Sequence, residues 1–588
     1  MRTPSLQYLY LQKPITTVIL VCVLAVLPWI GLGDFATKGE PREAAVAVSM
    51  LETGNWVLPG GYADEFSYKP PMDHWLMAIF SLPEGYVSEF TARLPSALAY
   101  IFLIGVTLFF FGERIKFQEA FICSLLLITC FEIHRAGMTA RVDMLVTTFI
   151  VLGLFALYRW EDRLELKGLP VSIPLLLGCA TLTKGPVGIV LPLFVFGVYL
   201  LALQKYRLKI IFKALLYVGI SSLFLPLIWY VAAWRQGGDE FLNLVLAENF
   251  GRFFHIDNFA NFYDLGHENG IWYNFATLLS GFLPWTILFL FSLFGITWRR
   301  PTGTVKAFLV RTWSSIRSME KLKLFSLTAL VCIIVFYSIP SSKRSVYLMS
   351  AYPFIAIFLA QYALYIVTYR TKATRVFAGF LAGITAIVLI AVGLSMAGII
   401  DPVILTSQYT HSASTLRDVE TISRMFTSPD WLTIGILVFV LIAFATVIYQ
   451  WRRKINLKML YATIFLAFTI NLLIDGVVMR GIRDADSSRP FAERILKEYP
   501  LNKQNIYVMN NLKEYSNLYG LNFYMKSCFH NFELAKPANG YFLIGDKDAD
   551  KVISRHPEYI FTPLTSTDYK VSDLKQRILL FQIIKRRL

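Results

Sequence analysis

Thirteen apolar runs recur through the first 480 of the 588 positions, most of them 17 residues or longer. Wound as a helix, a run of that length covers a hydrocarbon core of about 30 Å, and only helices or closed barrels satisfy their backbone there. The runs fall near 16–33, 94–112, 118–134, 143–159, 171–183, 187–203, 211–234, 271–293, 321–339, 347–368, 375–400, 431–450 and 457–478. The fifth is short enough to cross tilted or to reach the interface only through its flanks. With 56% hydrophobic and 16% charged residues, the chain has too little polar surface for a water-soluble class. The predicted fold is an all-α polytopic membrane protein of about thirteen transmembrane helices, followed by a small α/β domain.

A net charge of +16 would suit nucleic acid, but its distribution follows a membrane topology instead. Arg and Lys concentrate in alternate loops: Arg114 and Lys116; Arg159, Arg163 and Lys167; Lys205, Arg207, Lys209 and Lys213; seven residues from Arg299 to Lys323; Arg370, Lys372 and Arg375; Arg452, Arg453, Lys454 and Lys458. The positive-inside rule places these loops and the N-terminus in the cytoplasm. Thirteen crossings then put the C-terminus outside the inner membrane, with membrane lipids rather than nucleic acid as the companions of most charges. The histidines agree, since His74, His134, His255, His267, His411, His530 and His556 all fall at the outer side or in the tail. Five cysteines sit in apolar runs and Cys528 is alone in the tail, so no disulfide framework and no CxxC metal pair is expected. The first apolar run lacks a small-residue cleavage site, which argues against a cleaved signal peptide.

Two segments stand apart from the spans. The loop 34–93 carries Lys38-Gly39-Glu40-Pro41-Arg42-Glu43 and Tyr68-Lys69-Pro70-Pro71-Met72-Asp73-His74-Trp75, and a connection of this length between two spans is expected to be ordered and functional. Within it, Ala44, Val48 and Leu51 lie at helical spacing, predicting a helix in the membrane interface. The tail from Ser487 alternates β-prone runs, Asn505 to Met509, Tyr541 to Ile544 and Ile578 to Ile584, with polar stretches such as Lys547 to Arg555. The expected division is a membrane domain over 1–480 and an extracytoplasmic α/β domain over 481–588, with no internal repeat.

Groups capable of chemistry gather on the predicted outer side. The first loop supplies Lys38, Glu40, Arg42, Glu43, Lys69, Asp73 and His74. His134, Arg135, Arg141 and Asp143 follow the third span, Lys184 lies between the fifth and sixth, and Glu248, Arg252, His255 and His267 follow the seventh. Lys343, Arg344 and Tyr347 follow the ninth. Lys69, Asp143 and Lys184 stand at or near membrane depth, where an idle charge is costly. Glu43 and Glu52 have a plainer reading as solvating residues, and His255 and His267 show no metal-ligand spacing. Because Glu40 precedes Pro41, it is expected in an extended loop facing the cations, while Glu43 suits the dipole of a following helix. Cations beside a few carboxylates suit a phosphate-bearing lipid with a reactive head group.

The order of motifs resembles the lipid A aminoarabinose transferases, members of the GT-C glycosyltransferases with the protein O-mannosyltransferases as relatives. The likeness runs through Gly39-Glu40-Pro41-Arg42-Glu43-Ala44-Ala45, Met50 to Pro59, Tyr68-Lys69-Pro70-Pro71 with Trp75, and Arg141-Val142-Asp143. It continues through Leu182-Thr183-Lys184-Gly185, Glu248 to Phe253, Trp272-Tyr273, Gly281 to Trp285, and Ser342 to Leu348, covering roughly the first 370 residues. The resemblance implies a thirteen-span enzyme with an outer C-terminal domain and a polyprenyl-phosphate-linked sugar as donor. Two positions depart from the family. Its Asp-Glu pair begins here with Gly39, and the acidic residue before Lys-Pro, a metal ligand in the aminoarabinose transferases, is Tyr68. Whether a divalent metal takes part is therefore left open.

On this reading Lys69, Arg141, Lys184, Lys343 and Arg344 hold the donor phosphate, and Glu40 or Asp143 positions or deprotonates the acceptor. Arg42, Glu248, Arg252, His267 and Tyr347 position the acceptor or the loops. The expected reaction is inverting displacement at the anomeric carbon, with lipid A or a related envelope glycolipid as acceptor. A protein O-glycosyltransferase and a flippase of lipid-linked sugars are the alternatives.

Overall fold

A computed structural model describes residues 14–586 except 36, 68, 165–167, 249–267, 295–303, 305–309, 313, 317, 341, 512–513 and 572. Tyr68, Arg252, His255 and His267 thus lie outside the described residues.

Among the described residues, eight helices are long and apolar enough to cross a membrane, from Glu89–Gly112 to Asn456–Ala485. Two further predicted spans are bent pairs, Phe117–Thr129 with Phe131–Gly137 at 65° and Tyr273–Gly281 with Trp285–Leu293 at 105°. The second bend falls at Phe282-Leu283-Pro284, where proline has no amide hydrogen to continue the ladder. The remaining three runs are the shorter apolar helices Pro14–Val26, Ser172–Lys184 and Val187–Leu203. At 1.5 Å per residue, the 13 residues of Ser172–Lys184 span about 20 Å, less than the hydrocarbon thickness.

One buried aliphatic and aromatic core joins these helices, with Phe110 stacked on Phe155 at 3.9 Å between ring centroids. A π-helical turn, Ile474–Val478, brings Asp475 against His134, Oδ2 to Nε2 at 2.5 Å. His134 is buried in that pair, within the helix bundle.

Charged groups collect at two opposite ends. At one, Arg159 bonds Glu113 at 2.9 Å, and buried Glu161 meets Lys205 at 3.4 Å and Lys321. At the other lies Asp143, near the start of the 20-residue helix Val142–Glu161 that Glu161 closes. One span, about 30 Å, separates the two sets.

The first-loop helix differs from expectation in position and start. It runs Gly39–Thr53, and Ala44, Ala45, Val46, Ala47, Val48 and Met50 are all buried. These apolar residues are therefore covered by the rest of the protein. It packs against Met77 and Ala78 of the helix Met72–Ser81, and against Phe523 of the tail.

The tail forms a five-stranded sheet in the order β2-β1-β3-β5-β4: β1 Ile506–Val508, β2 His530–Asn531, β3 Asn539–Gly545, β4 Tyr559–Ser566 and β5 Ile578–Lys585. β1 pairs in parallel with β2 and β3, while β5 pairs antiparallel with β3 and β4. The predicted polar helix is Asp546–Arg555. This sheet unit is bonded to the first loop at many points. Ser487 donates to Asp34 at 2.7 Å, the Asn531 amide to Asp64 at 2.9 Å, and the Leu518 amide to the Tyr62 hydroxyl at 3.1 Å. Tyr524 donates to Glu89 and accepts from the Phe35 amide, both at 2.9 Å.

Candidate functional site

Two clusters of charge meet where the first loop lies on the bundle. In the first, Glu43 accepts from Lys69 and, at 3.0 Å, from Arg42 on one oxygen, and faces His74 Nε2 at 3.0 Å with the other. Burial pushes the Glu43 carboxyl up, but Lys69 and Arg42 with the His74 bond outweigh it and hold it well below the usual range. Lys69 is pushed down to about 8 by burial and by the repulsion of Arg42, with Glu43 opposing. Its side chain remains about a quarter exposed, so a ligand can reach it.

In the second cluster Lys184 and Arg141 flank Asp143, Lys184 in direct contact and Arg141 at 3.6 Å. The Lys184 ammonium lies 4.4 Å from the centre of the Tyr347 ring, a cation–π contact that fixes its direction. Arg344 contributes its charge to both Arg141 and Asp143. Arg141 in turn acts on Lys69 and Glu43, which joins the clusters into one field. The local cause is the short break before the helix Val142–Glu161: Arg141 is extended, with φ −149° and ψ 145°, and Asp143 enters the first turn.

Glu40 is placed otherwise than the sequence suggests. It lies in the first turn of Gly39–Thr53 and not in an extended loop, because Pro41 is tolerated at the third helical position and strong bonds hold the turn. Arg93 Nε donates to Glu40 Oε1 at 2.8 Å and the Ala140 amide donates at 3.0 Å. Arg93 also donates to the carbonyls of Ile30, Gly33 and Asp34, at 2.9, 3.1 and 3.2 Å. Both side chains of the pair are fully enclosed. Burial raises the Glu40 pKa, but Arg93 and Arg483 bring it below its ordinary value. Glu40 therefore braces the loop, and Glu43 holds the place among the cations expected of Glu40.

Lys343 also turns away from the cluster, since its buried ammonium donates to the carbonyls of Asn269 at 3.1 Å and Pro340 at 2.6 Å. It stitches together the segments around 269 and 340. Glu248 lies half-buried just after the helix Leu208–Leu246. Gly39, the departure from the family's acidic pair, packs against Arg141, whose Cζ would stand 3.0 Å from a Cβ there.

Sequence reasoning missed Arg93 and counted Asp73 and His74 among the groups capable of chemistry without giving either a specific role. The available signal was their polarity beside Lys69 or beside an apolar run. His74 and Asp73 are both completely buried, and His74 completes the bonding of Glu43. No group of three or more metal-ligating side chains occurs among the described residues, and no step is drawn through a metal.

Residues 68–234 match the family described as dolichyl-phosphate-mannose-protein mannosyltransferase. The undecaprenyl phosphate-alpha-4-amino-4-deoxy-L-arabinose arabinosyl transferase of Erwinia tasmaniensis is 24% identical over 341 residues, 57% of each chain. This chain therefore spans little more than half the length of that relative. The protein of the same name from Pectobacterium carotovorum is 23% identical over 512 residues, covering 84% of this chain and 81% of its own. The crystal structure of ArnT from Cupriavidus metallidurans bound to undecaprenyl phosphate superimposes with a TM-score of 0.67 at 16% identity, covering 97% of both chains. In architecture the chain is thus a GT-C-fold membrane protein that resembles the lipid A aminoarabinose transferases and is related to the protein O-mannosyltransferases.

Proposed function

We propose that the protein is an integral-membrane glycosyltransferase that moves a sugar from a polyprenyl-phosphate carrier to an envelope glycolipid, lipid A or a relative of it. The observation that carries this reading is the convergence of Lys69, Arg141, Lys184 and Arg344 on Glu43 and Asp143 at one end of the bundle. An arriving donor phosphate exchanges with these carboxylates for the cations. The same cations then stabilise the phosphate as charge develops on it during displacement at the anomeric carbon. The relatives' names, which specify undecaprenyl phosphate and aminoarabinose, support the carrier and the sugar class.

The state of the carboxylates favours one acceptor class. Glu40, Glu43 and Asp143 are each bonded to one or more cations, which makes them poor proton acceptors. A nucleophile that is already anionic, such as a phosphate of lipid A, needs no base. The match to protein mannosyltransferases favours a second reading with a Ser or Thr hydroxyl as acceptor, and that chemistry requires a base. The distribution of basic loops supports a cytoplasmic N-terminus and Glu161 end, with the cation cluster, the sheet unit over 481–588 and the C-terminus outside.

Purified protein in detergent, given polyprenyl-phosphate-linked 4-amino-4-deoxyarabinose and lipid A, is expected to form glycosylated lipid A and free polyprenyl phosphate. Transfer only to a peptide hydroxyl favours the second reading. An unconsumed donor that nevertheless moves between leaflets in vesicles makes the protein a flippase.

A further inference from the structure

Beneath Lys69 lies a carboxyl that the proposed chemistry has not used. Asp73 opens the helix Met72–Ser81, is completely buried, and has no hydrogen-bond partner on either oxygen among the described residues. An ionised carboxylate in that state is very costly, so the group is held neutral instead. Burial first, then the charges of Glu43 and Asp143, push it up to about 8, with Lys69 opposing. Those charges stand on the first-loop helix, on the Val142–Glu161 helix and in the loop before Asp73, so Asp73 lies between the two clusters. Two other helices pack on its helix: Ser172–Lys184, whose Lys184 is paired with Asp143, and Glu89–Gly112, which carries Glu89 and Arg93. Both are engaged elsewhere, with Tyr524 and Glu40.

Glu43 and Asp73 thus form a carboxyl couple in which environment drives the two pKa values apart. Such a divergence marks an acid and its ionised companion. Gly39 leaves room for the Arg141 guanidinium, which packs where a side chain at this position would stand. Resting on the transferase reading above, we propose that Asp73 is the proton donor to the departing polyprenyl phosphate.

The step balances as follows. An oxygen lone pair of the anionic acceptor forms the new bond to the anomeric carbon. The bond from that carbon to the donor phosphate oxygen breaks, and its electron pair stays on the phosphate. The phosphate would leave with a second negative charge; the Asp73 proton moves to it, leaving polyprenyl hydrogen phosphate and an Asp73 carboxylate. Lys69, beside both, holds the phosphate and stabilises that carboxylate until water returns the proton.

The test uses the full-length protein in nanodiscs with Asp73→Asn, which matches the neutral carboxyl in size. Wild-type turnover with the aminoarabinosyl donor and lipid A is expected to fall as pH rises through about 8, because the acid form is consumed. Asp73→Asn should lower kcat by about 100-fold or more, in the range for a lost general acid, and, although Lys69 still limits kcat/KM through donor binding, should abolish that alkaline limb in kcat. Lys69→Arg, which stays charged throughout, should keep it. The same alkaline limb of kcat in Asp73→Asn as in wild type overturns the proposal.

Infrared difference spectra give a readout independent of turnover. A protonated-carboxyl band absent from Asp73→Asn should shift when polyprenyl phosphate alone is added. If that band shifts while no sugar is transferred, the transferase reading fails and the Asp73–phosphate contact stands. If sugar is transferred and the band does not move, the proton-donor role falls alone.

Discussion

Arg93 and Glu40 form a fully enclosed ion pair at the junction of the first span and the first loop, with Arg93 Nε donating to Glu40 Oε1 at 2.8 Å. The remaining donors of Arg93 hold the carbonyls that end the span, so the pair fixes the angle at which the loop leaves the bundle.

Glu40→Gln is therefore expected to cost stability and spare chemistry. Removing one charge of a buried pair typically costs about 3–5 kcal/mol, because the other charge is left uncompensated. Unfolding in detergent should shift by that order, while turnover per folded molecule stays within a few-fold of wild type. A dead but stable variant would return Glu40 to the reacting groups.

Glu43→Gln should act in the opposite sense. Glu43 holds the Lys69 ammonium up against burial and Arg42, so its loss lowers the Lys69 pKa further from about 8. Lys69 then deprotonates nearer neutrality and donor binding is lost at lower pH. Profiles of kcat/KM against pH should show the alkaline limb moved toward acid, with KM for the donor raised at pH 8.

Lys184→Ala should abolish transfer with the protein still inserted and folded, since Asp143 keeps Arg141 at 3.6 Å. A charged hydrogen bond to phosphate contributes about 1.5–3 kcal/mol, so affinity for polyprenyl phosphate alone should drop about ten- to one-hundred-fold. Titration calorimetry in detergent checks this.

Gly39→Asp introduces a carboxylate into a site arranged without one at this position. The new side chain would press on the Arg141 guanidinium and draw it from Asp143. Because the obstructing group is the far end of a flexible side chain, folding should survive. Turnover should fall several-fold, with the change in KM for the donor.

Asp73→Asn should stabilise the fold at neutral pH. A carboxyl raised to about 8 in the folded protein binds its proton there when the unfolded chain has released it, so stability falls as pH rises from about 4 to about 8. The amide lacks this dependence. Melting curves of variant and wild type should converge near pH 4 and separate as pH rises to 8.

The spans were legible because hydropathy is local, and even the short helix Ser172–Lys184 coincides with its apolar run. Asp143 and Lys184 stood out for a related reason, that a charge at membrane depth is expensive wherever it sits. The ordering of Glu40 and Glu43 was not legible, since the partner that captures Glu40 is Arg93, 53 residues away. No local rule about residues before proline anticipates that guanidinium. In the sheet, β1, β3 and β5 matched β-prone runs, but β4 carries Pro563 at a register shift, and β2 is only two residues long. Proline in such a run signals an edge strand, which is where β4 lies. Asp73 was the least readable, because its isolation is a property of everything packed around it.

The bonds from Ser487, Leu518, Tyr524 and Asn531 back to residues 34–89 have a consequence for biogenesis. The first loop is synthesised early, yet the groups that satisfy Asp34, Tyr62 and Asp64 arrive up to 467 residues later. Until the last segment has emerged and folded, the loop carrying Glu43, Lys69 and Asp73 lacks its cover. A ribosome-stalled or prematurely terminated chain would thus sit in the bilayer with every span in place and its reactive centre unassembled. Synthesis through Asn531 is therefore a condition for completing the bonds that hold this loop in place.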